Sequence, residues 1–423
     1  MSNPVQIQET LTASLRQKSR SKWVANFAKA QILKRLEFLL KGNLTIVDGA
    51  VQHKFGHTED IRATIYVHDT RFYGEIAFGG SIGAGEAYML GYWTTDNLTN
   101  VIRMMCLNQA VMDTIEGGYQ WFTKPLMQLL HWLNSNTTEG SRKNIAAHYD
   151  LGNDFFALFL DETLMYSSAI FNQHTSTLKD ASELKLKTIC EKLDLQATDH
   201  VIEIGTGWGG FAIYAAMHYG CKVTTTTISQ QQYALAKSRV TAAGLQDKIT
   251  LLLDDYRHLR GQFDKLVSIE MIEAVGHRFY DTYFAKISAL LKPDGLALIQ
   301  AITIQDQRYE SAKKSVDFIQ RYIFPGSCIP SNTAMLNSIT RNSDLRLFDL
   351  EDIGPHYATT LKRWRENFFD NIEAVRKLGY SEEFIKMWEF YLCYCEGGFA
   401  ERALGDVHLL LAKPDNRRVA LNA

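Results

Sequence analysis

The stretch HVIEIGTGWGGF, residues 200–211, decides the fold of this chain. Its apolar run 201–204 is typical of a buried strand, and the residues after the turn carry a helical pattern. Gly205, Gly207 and Gly210 match the spacing that lets a backbone turn approach a bound ligand closely. The stretch therefore predicts a strand, a turn and a helix, with a cofactor above the turn.

Strand patterns alternate with helical patterns after this unit, as in a doubly wound sheet of mainly parallel strands. We predict an α/β fold, in which a Rossmann-like catalytic domain follows a smaller N-terminal α+β domain. A helix end and turn over 290–295 should lead into the last strand. The candidate strands are 201–204, 221–228, 249–253, 265–270 and 296–304.

A length of 423 residues favours two domains. The segment 134–141, NSNTTEGS, has no apolar side chain, as is typical of a linker. We therefore predict an N-terminal domain over 1–133, a linker over 134–141 and a catalytic domain over 142–423.

Two parts of the N-terminal domain have distinct patterns. Residues 44–78 indicate short strands, with turns at 48–49 and near Asp69. The glycine-rich stretch 79–93 lacks the Lys-Ser/Thr pair of a phosphate-binding loop. We interpret it as tight packing turns.

Residues 21–41 carry apolar residues at helical spacing, with lysines and arginines between them. Residues 1–41 hold eight cations and two acids, a net charge of +6; the whole chain carries −2, so the remainder carries −8. Two interpretations stay open: a helix packed on its own domain, or a basic amphipathic helix at an anionic lipid surface. The apolar positions are Trp23, Phe27, Ala30, Leu33, Leu36 and Leu40.

The position of the acids separates two cofactor classes. A nicotinamide site needs an acid about 20 residues beyond the first glycine, but 224–229, TTTTIS, holds none. Instead Glu203 precedes the turn, where a carboxylate can fix the loop and attract the cation of S-adenosylmethionine. We favour that cofactor over nicotinamide and over a turn without a ligand. After the third strand, Asp255 and Tyr256 are placed either to contact the adenine or to be solvated turn residues.

Charge and cysteine usage argue against several classes of protein. A net charge of −2 disfavours a nucleic-acid binder. The six cysteines form no C-x-x-C pair and no zinc spacing. Because we find no secretion signal and no apolar run of transmembrane length, we expect a cytoplasmic protein.

Eight motifs follow one another between about residues 40 and 415. They are GAGEAYMLGYW (83–93), AAHYDLGNDFFALFLDETLMYSSAIF (146–171), IEIGTGWGGFAIYAA (202–216), TTISQQQ (226–232), DYRHL (255–259), SIEMIEAVG (268–276), YDTYF (280–284) and RYIFPGSCIPS (321–331). In this order they resemble the cyclopropane-fatty-acyl-phospholipid synthases, to which the mycolic acid cyclopropane synthases are related.

The resemblance implies an S-adenosylmethionine-dependent methyltransferase that acts on a cis double bond of a membrane phospholipid acyl chain. It also implies a lipid-contacting N-terminal domain and a homodimer, and we expect the protein at the inner face of the membrane. The residues it places beside the cofactor are Tyr149, Tyr166, Ser167, Gly205, Gly207, Thr227, Ile228, Ser229, Gln232 and Tyr256.

The resemblance further implies a bicarbonate ion that takes the proton released after methyl transfer. Ser168 and Gln300 stand where the family has Cys and His, and since neither can become cationic we expect a weaker ion site. Cys395 matches a family cysteine once assigned a catalytic role, although a cysteine on an apolar helix is usually a core residue. The residues implied for catalysis are Glu273, the Ile302 amide, Tyr322, Ser168, Gln300 and Cys395.

Several functions stay open at this point. Formation of a cyclopropane fatty acid is preferred. If the ion is absent or shifted, a neighbouring chain carbon loses the proton instead, which gives a methyl-branched unsaturated chain. A small-molecule methyltransferase and a lipid-binding protein that has lost catalysis are the remaining alternatives.

Overall fold

The computed structural model describes residues 22–117, 151–175 and 177–419, without the side chains of 22–25 and 115–117. Its helices are α1 (Lys22–Leu36), α2 (Arg71–Met89), α3 (Leu98–Leu107), α4 (Gln109–Gly117), α5 (Asn153–Ala157), α6 (Leu178–Leu193), α7 (Gly210–Tyr219), α8 (Gln230–Ala242), α9 (Ile272–Val275), α10 (Tyr280–Leu290), α11 (Asp306–Ala312), α12 (Phe318–Tyr322), α13 (Asn332–Asn342), α14 (Gly354–Asp370), α15 (Ile372–Lys377) and α16 (Glu382–Ala400). Its strands are β1 (Asn43–Asp48), β2 (Val51–Phe55), β3 (Arg62–Val67), β4 (Trp93–Thr95), β5 (His200–Ile204), β6 (Lys222–Thr227), β7 (Ile249–Leu253), β8 (Phe263–Ile269), β9 (Leu291–Ile304), β10 (Arg346–Asp352) and β11 (Leu404–Ala412). None of these helices combines the length and apolar character that a membrane crossing needs.

The chain divides into two compact units. The first comprises 1–133, 314–325 and 364–403, and the second comprises 134–313, 326–363 and 404–423. Two segments from the C-terminal half thus group with the N-terminal part of the chain. The predicted domain boundaries stay a prediction, and the linker 134–141 lies outside the described residues.

The second unit contains a sheet whose described strands run in the order β10-β11-β9-β8-β5-β6-β7. The five strands from β9 to β7 are parallel, and β11 is antiparallel to both of its neighbours. This confirms the predicted α/β fold and all five candidate strands. The predicted helix end at Leu290 is confirmed, but the turn over 291–295 is part of strand β9. These residues bulge from the ladder, because Phe263 of β8 pairs with Leu291 and Lys265 pairs with Leu296.

Both faces of this sheet are covered, which explains its nearly continuous apolar strands. On one face Ile202 and Ile204 pack in a cluster with residues of α10. On the other, Val201 and Val223 pack in a cluster with residues of α6 and α7. Alternate side chains of β5 therefore enter two separate cores, and the glycine turn that follows β5 has a rigid support.

The strand order creates a crevice at one edge of the sheet. β6 lies on one side of β5 and β8 on the other, so the chain reverses its direction of winding at β5. In such sheets the ligand lies at this switch point, beyond the carboxyl ends of the strands. The Ser268 hydroxyl donates to the Ile204 carbonyl (2.9 Å) and joins β8 to β5 at that end.

In the first unit, the described sheet has the order β2-β1-β3-β4. The predicted strands are confirmed up to Val67, but residues 71–89 form the helix α2 where the sequence predicts strand and packing turns. Within α2, Gly80 has a positive φ of 54° and the helix kinks there. A side chain at Gly85 would overlap the ring of Phe318. The glycines permit close packing of a helix, and this packing overrides their poor helix propensity.

α1 confirms the predicted helix, but its buried face differs from the predicted stripe. Ala28, Ile32 and Leu36 are buried, whereas Phe27 and Leu40 of the predicted stripe are exposed. One face of α1 thus packs on its own unit, as the first interpretation predicts, and the lipid-surface interpretation stays a prediction.

Gly83 offers a test of the packing within α2. A Cβ atom there would overlap the carbonyl oxygen of Glu75, whereas one at Gly79 would have no atom within 4 Å. We expect Gly83→Ala to lower the free energy of unfolding by about 1–3 kcal/mol, while Gly79→Ala is neutral or slightly stabilising. Chemical denaturation of both variants checks this. Equal stability of the two variants would contradict the close packing at Gly83.

Candidate active site

The turn after β5 adopts the conformation that its glycines permit. Gly205 and Gly207 have positive φ angles of 104° and 52°, in the region that favours glycine. A Cβ atom at Gly207 would meet no atom within 4 Å, so the space above the turn is open to a ligand. At Gly210 a Cβ would lie 2.6 Å from the Met165 sulfur, so this glycine serves the packing of α7.

Glu203 lies beneath the turn, as the sequence predicts. It is 2% exposed, and one carboxylate oxygen accepts from the Thr225 hydroxyl at 2.6 Å. Thr225 in turn contacts the hydroxyl of Thr206, within the turn, at 2.7 Å. Burial raises the pKa of Glu203 to about 8, against the opposing effects of Thr225 and Lys185. A cation bound above the turn would favour the ionised form.

The end of β6 brings four predicted cofactor residues together. The Thr227 hydroxyl donates to the Gln232 side chain (2.8 Å) and accepts from the Ser229 amide (3.1 Å). Ser229 caps α8 by accepting from the Gln232 amide (3.3 Å). With Ile228 between them, these residues form the start of α8, next to the glycine turn across β5 and β6.

Asp255 and Tyr256 follow β7 as predicted, but Asp255 is engaged within the chain. Both of its carboxylate oxygens accept from Arg257, at 2.8 and 2.6 Å. Burial raises the pKa of Asp255, but these bonds outweigh it and the pKa is lowered. The Tyr256 hydroxyl is buried and has no hydrogen-bond partner within the described part of the chain. Burial raises its pKa to about 12, so it stays a neutral donor.

Arg239 was missed by the sequence analysis. From α8 its guanidinium donates to the carbonyl oxygens of Trp208 (2.7 Å), Thr163 (3.1 Å) and Glu162 (2.9 Å). The Trp208 indole also donates to Asn153, at 2.7 Å. Arg239 therefore ties the glycine turn to the segment before Tyr166. No motif distinguishes it from other arginines on an amphipathic helix.

Of the three predicted cofactor residues from the motif 146–171, Tyr149 lies outside the described residues. The ring of Tyr166 packs against Phe156, with centroids 5.2 Å apart. The Ser167 hydroxyl accepts from the ammonium group of Lys185 at 2.8 Å. Lys185 is completely buried, and burial lowers its pKa to about 8 although nearby Glu270 opposes this.

Ser168 and Gln300 contact a common acceptor, but that acceptor is the side chain of Glu270 and not a bound ion. The Ser168 amide and the Gln300 side-chain amide each donate to the same Glu270 oxygen, at 2.8 Å. The Ser168 hydroxyl, which was expected to hold an ion, donates instead to the Ala169 carbonyl at 3.0 Å. The Tyr357 hydroxyl donates to the second Glu270 oxygen at 2.6 Å.

Asp406 joins this cluster from β11. Its Oδ2 accepts from Gln300 at 2.9 Å, since β11 pairs with β9 and brings the two side chains together. Burial raises the pKa of both Glu270 and Asp406, and that of Asp406 much further. Burial therefore favours the neutral form of Asp406 more strongly than that of Glu270. His408, opposite Gln300 in the ladder, is neutral because burial lowers its pKa well below the usual value.

Glu273 and Ile302 are in direct contact. The Ile302 amide donates to the Glu273 Oε1 atom at 2.5 Å, and Oε2 is buried without a partner in the described structure. Burial, with a further contribution from Glu270, raises the pKa of Glu273 to about 8. The amide that was expected to hold an ion thus holds a carboxyl group.

Tyr322 and Cys395 belong to the first unit. The Tyr322 hydroxyl donates to Glu86 at 2.6 Å, and burial followed by the Glu86 charge raises its pKa. Burial also raises the pKa of the Cys395 thiol, which leaves it in the poorly nucleophilic neutral form.

Similarity to known proteins covers most of the chain. Residues 136–409 match the family model described as mycolic acid cyclopropane synthetase. The tuberculostearic acid methyltransferase UfaA1 of Mycobacterium tuberculosis is 40% identical over 329 residues, which are 76% of this chain and 76% of the relative. The cyclopropane-fatty-acyl-phospholipid synthase of Escherichia coli strain K12 is 36% identical over 348 residues, which are 80% of this chain and 85% of the relative. The crystal structure of mycolic acid cyclopropane synthase CmaA1 complexed with SAH and CTAB matches with a TM-score of 0.59 and 28% identity, over 64% of this chain and 98% of that one.

Proposed function

Since the chain belongs to the mycolic acid cyclopropane synthetase family, we propose that it transfers a methyl group from S-adenosylmethionine to the double bond of an unsaturated phospholipid acyl chain. Membership confirms the family resemblance of the sequence motifs. The observation that carries the proposal is the open glycine turn at the switch point of the sheet, next to two carboxyl groups that follow the adjacent strand β8: half-buried Glu270 and buried Glu273 of α9.

The residues around the turn fit S-adenosylmethionine. The open space over Gly207 suits the methionine part, and Glu203 beneath the turn provides negative charge. The buried, unpartnered hydroxyl of Tyr256 is available to a polar group of the cofactor in the described structure. The related CmaA1 structure carries SAH, the product that this cofactor leaves after methyl transfer. When bound, the cofactor supplies an electrophilic methyl group.

For the product, we infer a methyl-branched unsaturated chain. The groups expected to hold an exchangeable ion, at Ser168, Gln300 and Ile302, already donate to Glu270, Ala169 and Glu273. A relative that is 40% identical is named as a tuberculostearic acid methyltransferase. Cyclopropane formation is the second candidate, supported by the E. coli synthase at 36% identity.

Expression in a host without its own synthase tests the proposal. We expect mass spectrometry of the phospholipids to show acyl chains that have gained the mass of one CH2 group. With a deuterated methyl donor, a methyl-branched product keeps three deuteria, whereas ring closure removes one and leaves two. Unmodified chains in the presence of folded, cofactor-binding protein would contradict the proposed function.

We further propose that the first unit contacts an anionic membrane. Phe38 and Leu40 are 65% and 66% exposed, and they lie close in sequence to the exposed Lys34 and Lys41. Exposed apolar side chains next to cations suit the boundary between lipid head groups and acyl chains. Residues 1–21, which hold further cations, lie outside the described residues, and the homodimer stays a prediction.

The double variant Phe38→Ser with Leu40→Ser tests this surface. Each apolar side chain that enters lipid contributes about 1.5–3 kcal/mol, so we expect vesicle affinity to fall by about tenfold or more for each residue. Binding of the wild type to anionic vesicles should weaken as salt is added. Met217→Ser, at a 54% exposed site in the second unit, is the control. An equal loss of vesicle affinity in the double variant and in Met217→Ser would argue against a specific membrane-binding surface.

A further inference from the structure

We propose, on the basis of the function proposed above, that the Glu270 carboxylate is the base that takes the proton released by the acyl chain after methyl transfer. The site would then contain its own anion and need no exchangeable one. Glu270 becomes a catalytic residue in this assignment, and Ser168, Gln300 and Tyr357 become the residues that position it.

The hydrogen bonds hold Glu270 as an anion. It accepts from three donors, the Ser168 amide, the Gln300 side chain and the Tyr357 hydroxyl, within 2.6–2.8 Å. A neutral carboxylic acid has to donate its own proton, so three converging donors favour the charged form. Burial raises the pKa of the neighbouring Asp406 further than that of Glu270, so Asp406 is the more easily protonated of the two.

The backbone at Glu270 adds an independent observation. Its φ of 48° lies in the left-handed region, which costs a side-chain-bearing residue about 1–2 kcal/mol. The Glu270 amide donates to the Gln300 carbonyl at 2.8 Å, so Gln300 fixes both the backbone and the side chain. Strained positions of this kind concentrate at functional sites. Here the strain aims a carboxylate from the end of β8 at the switch point of the sheet.

The surrounding oxygen atoms favour positive charge. Gln300 Oε1 and Glu273 Oε2, the latter an acceptor when Glu273 is ionised, are buried without hydrogen-bond partners in the part of the chain that is described. Buried acceptors of this kind are costly unless they meet a donor or a cation during function. Preorganised acceptors stabilise a positive charge that develops beside them. The cluster therefore suits an acyl chain that becomes cationic.

The step balances without a further reactant. The new carbon–carbon bond takes the π electrons of the double bond and leaves positive charge on the second alkene carbon. Glu270 removes a proton from a carbon beside this charge. The electrons of the broken carbon–hydrogen bond form a new double bond or close a ring. Such protons are very acidic, so even a weakly basic carboxylate suffices, and the resulting acid returns its proton to water.

Replacement of Glu270 by glycine, followed by addition of a small carboxylate, tests the assignment. Glycine tolerates the φ of 48° and leaves room for a free anion beside the same donors. With sodium chloride as the only salt, we expect Glu270→Gly to lose at least about 100-fold in turnover. Sodium formate at equal ionic strength should restore activity in a saturable way. Wild-type turnover should not change when bicarbonate is removed.

Formate binding also has a readout that needs neither cofactor nor turnover. Formate should raise the thermal midpoint of Glu270→Gly, because a ligand that binds only the native state stabilises it. It should leave wild type and Glu270→Gln unchanged. Asp194→Gly is the matched control, since Asp194 is an exposed acid with a φ of 52° at the end of α6.

Three results would overturn the inference: normal turnover of Glu270→Gln, a glycine variant that does not respond to formate, or a wild type that needs bicarbonate. If the glycine variant does not fold, the glutamine variant decides: its oxygen can accept from Ser168 and Gln300 and its NH2 group can donate to the Tyr357 hydroxyl, but it cannot take the proton. Failure of the proposed function looks different: wild type itself then modifies no acyl chain.

Discussion

Gly207→Val is expected to abolish binding of S-adenosylmethionine. The φ of Gly207 is 52°, where a branched side chain costs about 1–2 kcal/mol. The larger effect comes from the open space above the turn, which the valine side chain would fill. The turn and Glu203 beneath it would still be present, yet the methionine part of the cofactor would lose its place. Titration calorimetry with purified protein measures the loss.

The matched control for this variant is Gly244→Val. Gly244 also has a positive φ, of 66°, and no atom within 4 Å of its Cβ position, but it follows α8 at an exposed site. We expect this variant to show the same backbone penalty and unchanged cofactor affinity. If Gly207→Val binds S-adenosylmethionine with normal affinity, the cofactor does not lie above this turn.

Glu273→Gln should lower turnover by about 10²–10³-fold while cofactor affinity stays within a few-fold. In the ionised form of Glu273 the unpartnered Oε2 atom is an acceptor in a buried site, and glutamine can place a donor there, which repels a developing positive charge. The Ile302 amide can still donate to the remaining oxygen, so the local structure should persist. Single-turnover rates together with calorimetry separate the two effects.

The pH dependence provides a second measurement on Glu273. Its pKa of about 8 is raised, by burial first and by Glu270 second, so the charged form increases as pH rises through 8. Wild-type turnover should therefore increase between about pH 7 and pH 9, and the glutamine variant should lack this increase. A carboxyl group whose pKa is higher in the folded than in the unfolded state lowers the stability of the fold as pH rises from the unfolded-state pKa to the folded-state pKa. Relative to wild type, the variant should thus become more stable over that interval. A flat wild-type profile with an active variant would show that Glu273 acts as a neutral acid.

The sequence by itself determined the parallel strands of the second unit and the glycine turn that follows β5. Alternating apolar strands and helices predict the parallel sheet, and the glycine spacing predicts the turn after β5, because both depend on residues close together in the chain. The placement of Glu203 under that turn follows from the same local pattern. The sequence also contains Glu270 within the motif SIEMIEAVG, at the end of a predicted strand, but gives no reason to select it.

Only the tertiary structure decided which groups form hydrogen bonds with Glu270 and Asp406, and how α2 forms. Ser168 meets Glu270 across 102 residues, and Gln300 meets Asp406 across 106. Such contacts depend on strand order and register, which no local pattern specifies. In α2, poor helix formers become helical because their missing side chains allow close packing against Phe318. Local propensity contributes less than 1 kcal/mol per residue, so the packing of distant parts of the chain outweighs it wherever a fold brings them together.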